Sequence, residues 1–131
     1  MTQWFEIDNV GEIPSPALLV YPDRIQENLQ RMIAWSGDAA RLRPHVKTHK
    51  MGPIVRMKLD LGISKFKAST IAEVEMVVDA GGLDILMAYQ PVGPNSRRLA
   101  QLLQMHPNLK LSTIVDNQQT LKELSAAATQ A

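Results

Sequence analysis

Basic and titratable side chains recur at every second position in Leu42-Arg43-Pro44-His45-Val46-Lys47-Thr48-His49-Lys50. Residues two apart share a face of a β-strand. The spacing therefore sets Arg43, His45, Lys47 and His49 on one side, and Leu42, Pro44, Val46 and Thr48 on the other. The elements that follow read as helices, which makes this a buried parallel strand, and such strands are ordinarily near-continuous apolar runs. Charges there are costly unless partnered, and costly groups gather where chemistry occurs. The chemistry open to this set is that of an amine. Burial and neighbouring cations favour the neutral, nucleophilic form of a lysine, and such a lysine forms a Schiff base with a carbonyl. Lys47, at the strand's end among Arg43, His45, His49 and Lys50, is the residue placed to do so. The competing use of Lys47 is as a solvated or carboxylate-paired side chain. His45 and His49, four residues apart on a strand, are separated by about 13 Å. That is too far to share one metal ion.

Strands and helices must position these groups. Residues 1–16 read as an extended lead-in with Trp4, Phe5, Ile7, Val10 and Ile13 as apolar anchors, ending at Pro14-Ser15-Pro16. Residues 17–131 read as one α/β domain. Ala17-Leu18-Leu19-Val20-Tyr21 is a strand candidate, followed by a helix opened by Pro22-Asp23, with Asp23 and Gln26 as a capping box. Its stripe is Ile25, Leu29, Met32 and Ile33. Four strand–helix units follow. Leu42–Thr48 precedes a helix from Pro53 to Leu61. Ser64–Ala68 precedes a helix opened by Thr70-Ile71-Ala72-Glu73, a second capping box. Asp84–Tyr89 precedes a helix ending near His106. Leu109–Val115 precedes a helix over 117–127, in which Leu121 and Leu124 face inward. Gly81-Gly82 reads as a helix C-cap, not a phosphate loop.

Alternating strands and short helical crossovers mean parallel βαβ units. A small doubly wound sheet and the first half of a (β/α)8 barrel both fit. In both, catalytic groups sit at the carboxyl ends of the strands. Lys47, Ser69, Thr70, Tyr89 and Asp116 fall there.

The totals exclude several function classes. The 131 residues suit one modest domain. A net charge of +1 argues against nucleic acid or a membrane surface as partner. The absence of cysteine removes disulfides, thiolate metal sites and a cysteine nucleophile. No apolar run reaches the roughly 18 residues of a membrane span, and the first residues lack a signal-peptide pattern. A cytoplasmic protein is expected.

Three segments in order carry a resemblance: Ser15-Pro16-Ala17-Leu18-Leu19-Val20, then Arg43-Pro44-His45-Val46-Lys47-Thr48-His49-Lys50, then Ala68-Ser69-Thr70-Ile71-Ala72-Glu73-Val74-Glu75-Met76. Together they resemble the N-terminal part of the D-threonine aldolase / D-serine dehydratase family. Its members share the alanine racemase-like barrel of fold type III pyridoxal phosphate enzymes. The resemblance implies a partial (β/α)8 barrel of about four βα units. It also implies a pyridoxal phosphate-dependent lyase acting on D-3-hydroxy-amino acids, cleaving them to glycine and an aldehyde. A D-serine dehydratase or an amino-acid racemase of the same fold is the alternative. A non-catalytic anion-binding α/β module is the alternative from outside the family. By resemblance Lys47 holds the cofactor covalently, and His45 and Arg43 lie in its binding motif. A divalent metal is expected only in a full-length protein, with no metal ligand in this chain. The chain alone is expected to be inactive. A half barrel is further expected to expose two sheet edges and an apolar inner face, and so to self-associate as a homodimer or otherwise.

Overall fold

The computed structural model describes residues 3–130; Met1 and Thr2 of the expected lead-in, and Ala131, lie outside the described residues. Among the described residues, three strands form one parallel sheet: β1 (Lys65–Ala68), β2 (Asp84–Met87) and β3 (Lys110–Thr113), in that order. The register pairs Phe66 with Ile85 and Ile85 with Leu111. Five helices accompany it: α1 (Pro22–Ser36), α2 (Gly52–Asp60), α3 (Ile71–Asp79), α4 (Pro94–Met105) and α5 (Gln118–Thr129). This is the arrangement of a partial (β/α) barrel.

Period-2 alternation divides the sheet's two faces. Phe66, Ala68, Ile85 and Met87 are buried, and they meet Val74, Val77, Val78, Leu99 and Leu102 from α3 and α4. The other face carries Lys65, Lys67, Asp84, Leu86, Lys110 and Ser112 at alternate positions. Arg43 crosses that face to Asp84, Nη1 to Oδ1 2.7 Å. The open face is therefore largely polar, which overturns the expectation of an apolar inner face. The edges remain: β3 pairs only with β2, and beyond β1 there is a single bridge.

Two expected strands did not form as such. Ala17–Tyr21 is extended but unpaired, with Leu18 and Leu19 exposed. Leu42–Thr48 reduces to one parallel bridge between His45 and Lys67, made by Val46 N to Lys67 O and Lys67 N to Pro44 O. Pro44 has no N–H to extend the ladder. The chain then leaves the sheet, because the Val46 carbonyl accepts from both His49 N and Lys50 N. Lys50 closes this turn at φ +49, the one non-glycine residue with positive φ among the described residues.

Caps explain where the helices begin. The Thr70 hydroxyl accepts from Glu73 N, and the Asn117 side chain accepts from Thr120 N. At α1 the cap position belongs to Tyr21 with no side-chain cap, so the expected Asp23–Gln26 box is absent. Pro22 instead supplies a first-turn residue that needs no N–H partner. After α3, Gly81 adopts φ +98 and Gly82 packs so tightly that a Cβ there would lie 2.6 Å from Val77 Cγ1. In α5 the inward residue is Thr120, while Leu121 is half exposed, because α5 packs on α4 and has no further layer outside it.

Candidate active site

The site is built where the bridge strand ends. His45 stands beside β1, and its Nδ1 accepts from Lys47 N at 3.2 Å. With that lone pair used, a neutral ring carries its proton on Nε2. Nε2–H then donates to Ser69 Oγ at 3.0 Å. Ser69 follows β1 directly, so one sheet edge positions both partners. Burial first, then the Lys47 and Lys67 charges, hold the His45 ring below its usual range, against the opposing pull of Glu73. The pair has the wrong polarity for a serine nucleophile. The imidazole donates to the hydroxyl and has no lone pair free to take its proton.

Glu73, buried in the first turn of α3, ties the motif to the sheet. Its Oε2 accepts from Ser69 N at 2.7 Å and its Oε1 pairs with Lys50 Nζ at 2.7 Å. Burial acts to raise its pKa. The Lys50 hydrogen bond, the Ser69 N–H and the Lys50 and His45 charges outweigh that, and the net displacement is downward. Lys50 is thus doubly constrained, by a left-handed backbone and by an ion pair with a buried carboxylate. Outlying backbone of this kind costs roughly 1–3 kcal/mol and persists only where surroundings enforce it.

Lys47 lies on the exposed outside of the turn, not on a buried strand face. Leaving the sheet at Val46 removes the burial expected for it. Among the described residues its Nζ makes no hydrogen bond or ion pair, whereas its motif neighbour Lys50 is committed to Glu73. Arg43 is not free: besides Asp84 Oδ1 it reaches the Phe66 and Asp84 carbonyls at 3.3 and 3.4 Å. It braces β1 and the first residue of β2. His49 turns toward α2 instead of joining His45, and its Nδ1 accepts from Met51 N at 3.1 Å. The alternation that set four residues on one face therefore holds for Arg43 and His45 and fails for Lys47 and His49. Both ring nitrogens of His45 and of His49 are engaged within the chain. No group of three metal-ligating side chains occurs among the described residues.

Beyond Ser69 a cleft of about 460 Å³ opens at the carboxyl ends of β1 and β2, lined by Ser69, Thr70, Met87, Tyr89, Asn95 and Arg98 among others. Tyr89 is exposed there, and Arg98 pairs with Glu75 at 3.3 Å. Asp116 belongs to the next loop, where its N–H donates to Gln90 Oε1. Of the strand-end residues named from sequence, Ser69, Thr70 and Tyr89 line this cleft, and Asp116 adjoins Tyr89 in a neighbouring one. The residues missed as site components are Glu73 and Lys58. Glu73 was visible only as half of a capping box, and Lys58 as one more residue of an amphipathic helix.

Comparison with known proteins places this geometry. Residues 20–131 match the family model described as alanine racemase, N-terminal domain. The chain is 35% identical over 126 residues to a D-threonine aldolase of Arthrobacter sp., which covers 95% of this chain and 32% of the relative. It is also 35% identical over 121 residues to D-threo-3-hydroxyaspartate dehydratase of Delftia sp. strain HT23, covering 91% and 31%. Among solved structures, D-threonine aldolase from Filomicrobium marinum superposes with a TM-score of 0.80 at 31% identity, covering 92% of this chain and 32% of that one. The Delftia dehydratase gives 0.67 at 32% identity, covering 90% and 31%. The chain spans about a third of the length of the relatives it matches. With a match over residues 20–131 and the bridge-strand site in place, the chain belongs to the alanine racemase N-terminal domain family.

Proposed function

We propose that this chain forms the lysine-bearing part of a pyridoxal phosphate-dependent lyase for D-3-hydroxy-amino acids, of the D-threonine aldolase type. The observation that carries the reading is the unengaged Lys47 amine at the end of the bridge strand. It supports a fit to an aldehyde cofactor, because the amine is open to solvent while His45, Ser69, Glu73 and Lys50 lock the turn beneath it. Pyridoxal phosphate, when bound, supplies an electron sink for bond cleavage at the amino acid's α-carbon. Lys47 would hold it. The turn locked by Lys50 and Glu73 orients the amine, and preorganisation of this kind lowers the entropic cost of reaching a reactive geometry. The Ser69–His45 pair is the polar group next to Lys47 in chain and space. Its role here is to hold the backbone N–H of Lys47 in place through Nδ1.

Dehydration of a D-3-hydroxy-amino acid is the second reading, favoured by the equal identity to the Delftia dehydratase. A binding module for anions is disfavoured, since Arg43 and Lys50 are each neutralised by a carboxylate. The divalent metal of the reading falls to residues of a longer protein, as do most substrate contacts. Self-association through the open edges, and residence in the cytoplasm, belong to the same proposal. No helix among the described residues is long and apolar enough to cross a membrane.

The test is incubation with pyridoxal phosphate, borohydride reduction and peptide mass mapping, on the wild type and Lys47→Ala. The expected result is label concentrated on Lys47 and a visible absorbance lost in the variant, as covalent capture of the aldehyde by that amine requires. Label spread evenly over the exposed lysines, with Lys47→Ala unaffected, would overturn the reading.

A further inference from the structure

Lys58 is an anomaly. It sits on α2 at 5% exposure, and its Nζ meets no carboxylate among the described residues. Among the described residues the one hydrogen-bond partner of its Nζ is His49 Nε2, at 2.9 Å. The other ring nitrogen of His49, Nδ1, accepts from Met51 N. A backbone N–H can only donate, so Nδ1 must be the bare nitrogen of the ring. A neutral imidazole then carries its proton on Nε2. Two donors cannot face each other across 2.9 Å, so Nε2–H must donate to Nζ, and Nζ must present a lone pair. An ammonium has none.

We propose that Lys58 is held as an uncharged amine in the folded chain, and that by accepting from His49 it acts as a positioning residue for the turn carrying Lys47. Its importance for cofactor capture rests on the reading of Lys47 given above, but its protonation state does not. Independent support comes from what surrounds the pair. Burial lowers the affinity of Lys58 for a proton. Burial is also the largest cause holding the His49 ring below its usual range, with Glu73 opposing. The charged groups acting from the packed elements are therefore few. Glu73 comes from α3, and it is already paired with Lys50 from the turn. Neither leaves a spare negative charge to hold an ammonium at position 58.

The chain through which this acts is short. His49 is two residues from Lys47, and its backbone N–H closes the turn on the Val46 carbonyl. The ring is pinned at both ends, by Met51 N on one side and by α2 through Lys58 on the other. An amine at position 58 that became charged would turn the second contact into a donor–donor repulsion and release the ring from α2.

The experiment is an NMR titration of the full chain. Lysine ε-carbons are ¹³C-labelled and histidine rings ¹⁵N-labelled, and Lys58 is assigned by loss of its signal in Lys58→Arg. The expected result is one lysine titrating apart from and below the others, with His49 in the Nε2–H form over the same pH range. A Lys58 resonance that moves with the bulk lysines, or a His49 ring protonated on Nδ1, would overturn the proposal. Variants supply the second measurement. Lys58→Gln keeps an oxygen that accepts from Nε2–H and is expected to preserve the His49 tautomer. Lys58→Arg has no acceptor and is expected to lose that tautomer. It is also expected to slow borohydride-trappable labelling of Lys47 about tenfold, the size of one lost hydrogen bond of roughly 1.4 kcal/mol. Arg matching wild type in both readouts would equally overturn it. If labelling at Lys47 failed in the wild type while the titration behaved as expected, the cofactor reading would fall and the Lys58 assignment would stand.

Discussion

Glu73 ties three parts of the site together. It joins Lys50 of the motif, Ser69 at the end of β1 and the first turn of α3. Removing its charge leaves the Ser69 N–H without a strong acceptor and Lys50 in a left-handed conformation with nothing to hold it. Glu73→Ala is expected to lower stability by about 2–4 kcal/mol, measured by urea unfolding, since an uncompensated buried pair or donor costs in that range. Lys47→Ala, on an exposed and unpartnered side chain, is expected to change stability by less than about 0.5 kcal/mol. The same substitution is expected to abolish labelling. The two substitutions together separate the residue that builds the site from the residue that would react in it.

At the scale of elements, caps and close contacts set the register of α3 on the sheet. Thr70 accepts from Glu73 N at 3.2 Å, and Thr70→Ala is expected to cost about 1 kcal/mol of stability, read as a shift of the thermal midpoint. Gly82 is constrained from the other end of α3. A methyl there would meet Val77 Cγ1 at 2.6 Å and the Phe66 ring at 3.0 Å. Gly82→Ala is expected to cost about 1–3 kcal/mol, as overpacking in a filled core does. A neutral result in denaturant titration would mean that α3 can slide on β1. That would weaken the argument that Glu73 has only one geometry in which to reach Ser69.

The whole molecule should respond to acid in one direction. Burial holds His49 in the folded chain below its usual range, whereas an unfolded histidine protonates at about 6.5. The unfolded state therefore binds the extra proton first as pH falls through that value, and stability declines there. Glu73 is displaced downward, so its contribution is present above the ordinary glutamate range of about 4.3 and is lost as pH falls further. Lys58 is also displaced downward; the unfolded chain again binds the extra proton first, so the cost of burying it shrinks as pH rises toward the lysine range. Denaturation midpoints at pH 7, 5.5 and 4 are expected to decline in that order. A flat profile would contradict the buried His49–Lys58 arrangement. The sheet's open face enters at this scale too. It carries Lys65, Lys67, Asp84 and Lys110 in place of an apolar interior, so self-association would proceed through strand edges and not through that face.

The sequence by itself determined the local rules. Apolar stripes at helical spacing placed all five helices to within a few residues. Thr70 declared its cap through residue type alone, and the Arg-Pro-His-x-Lys-Thr-His-Lys string carried the family, because each of these is written in neighbouring positions. Tertiary structure alone decided how long the motif strand could last and which way its side chains turned. The alternation read over 42–48 holds only as far as the bridge at His45. Pairing, however, depends on a partner edge and on donors that Pro44 lacks, and the chain found a better acceptor arrangement in the turn at Val46. His49 left the face of His45 for that reason. Its partner Lys58 is nine residues away on a different element, and Glu73 reaches Lys50 across 23. Contacts at such separations depend on how β1, α2 and α3 pack, and packing is set by the summed burial of the core, not by any local spacing.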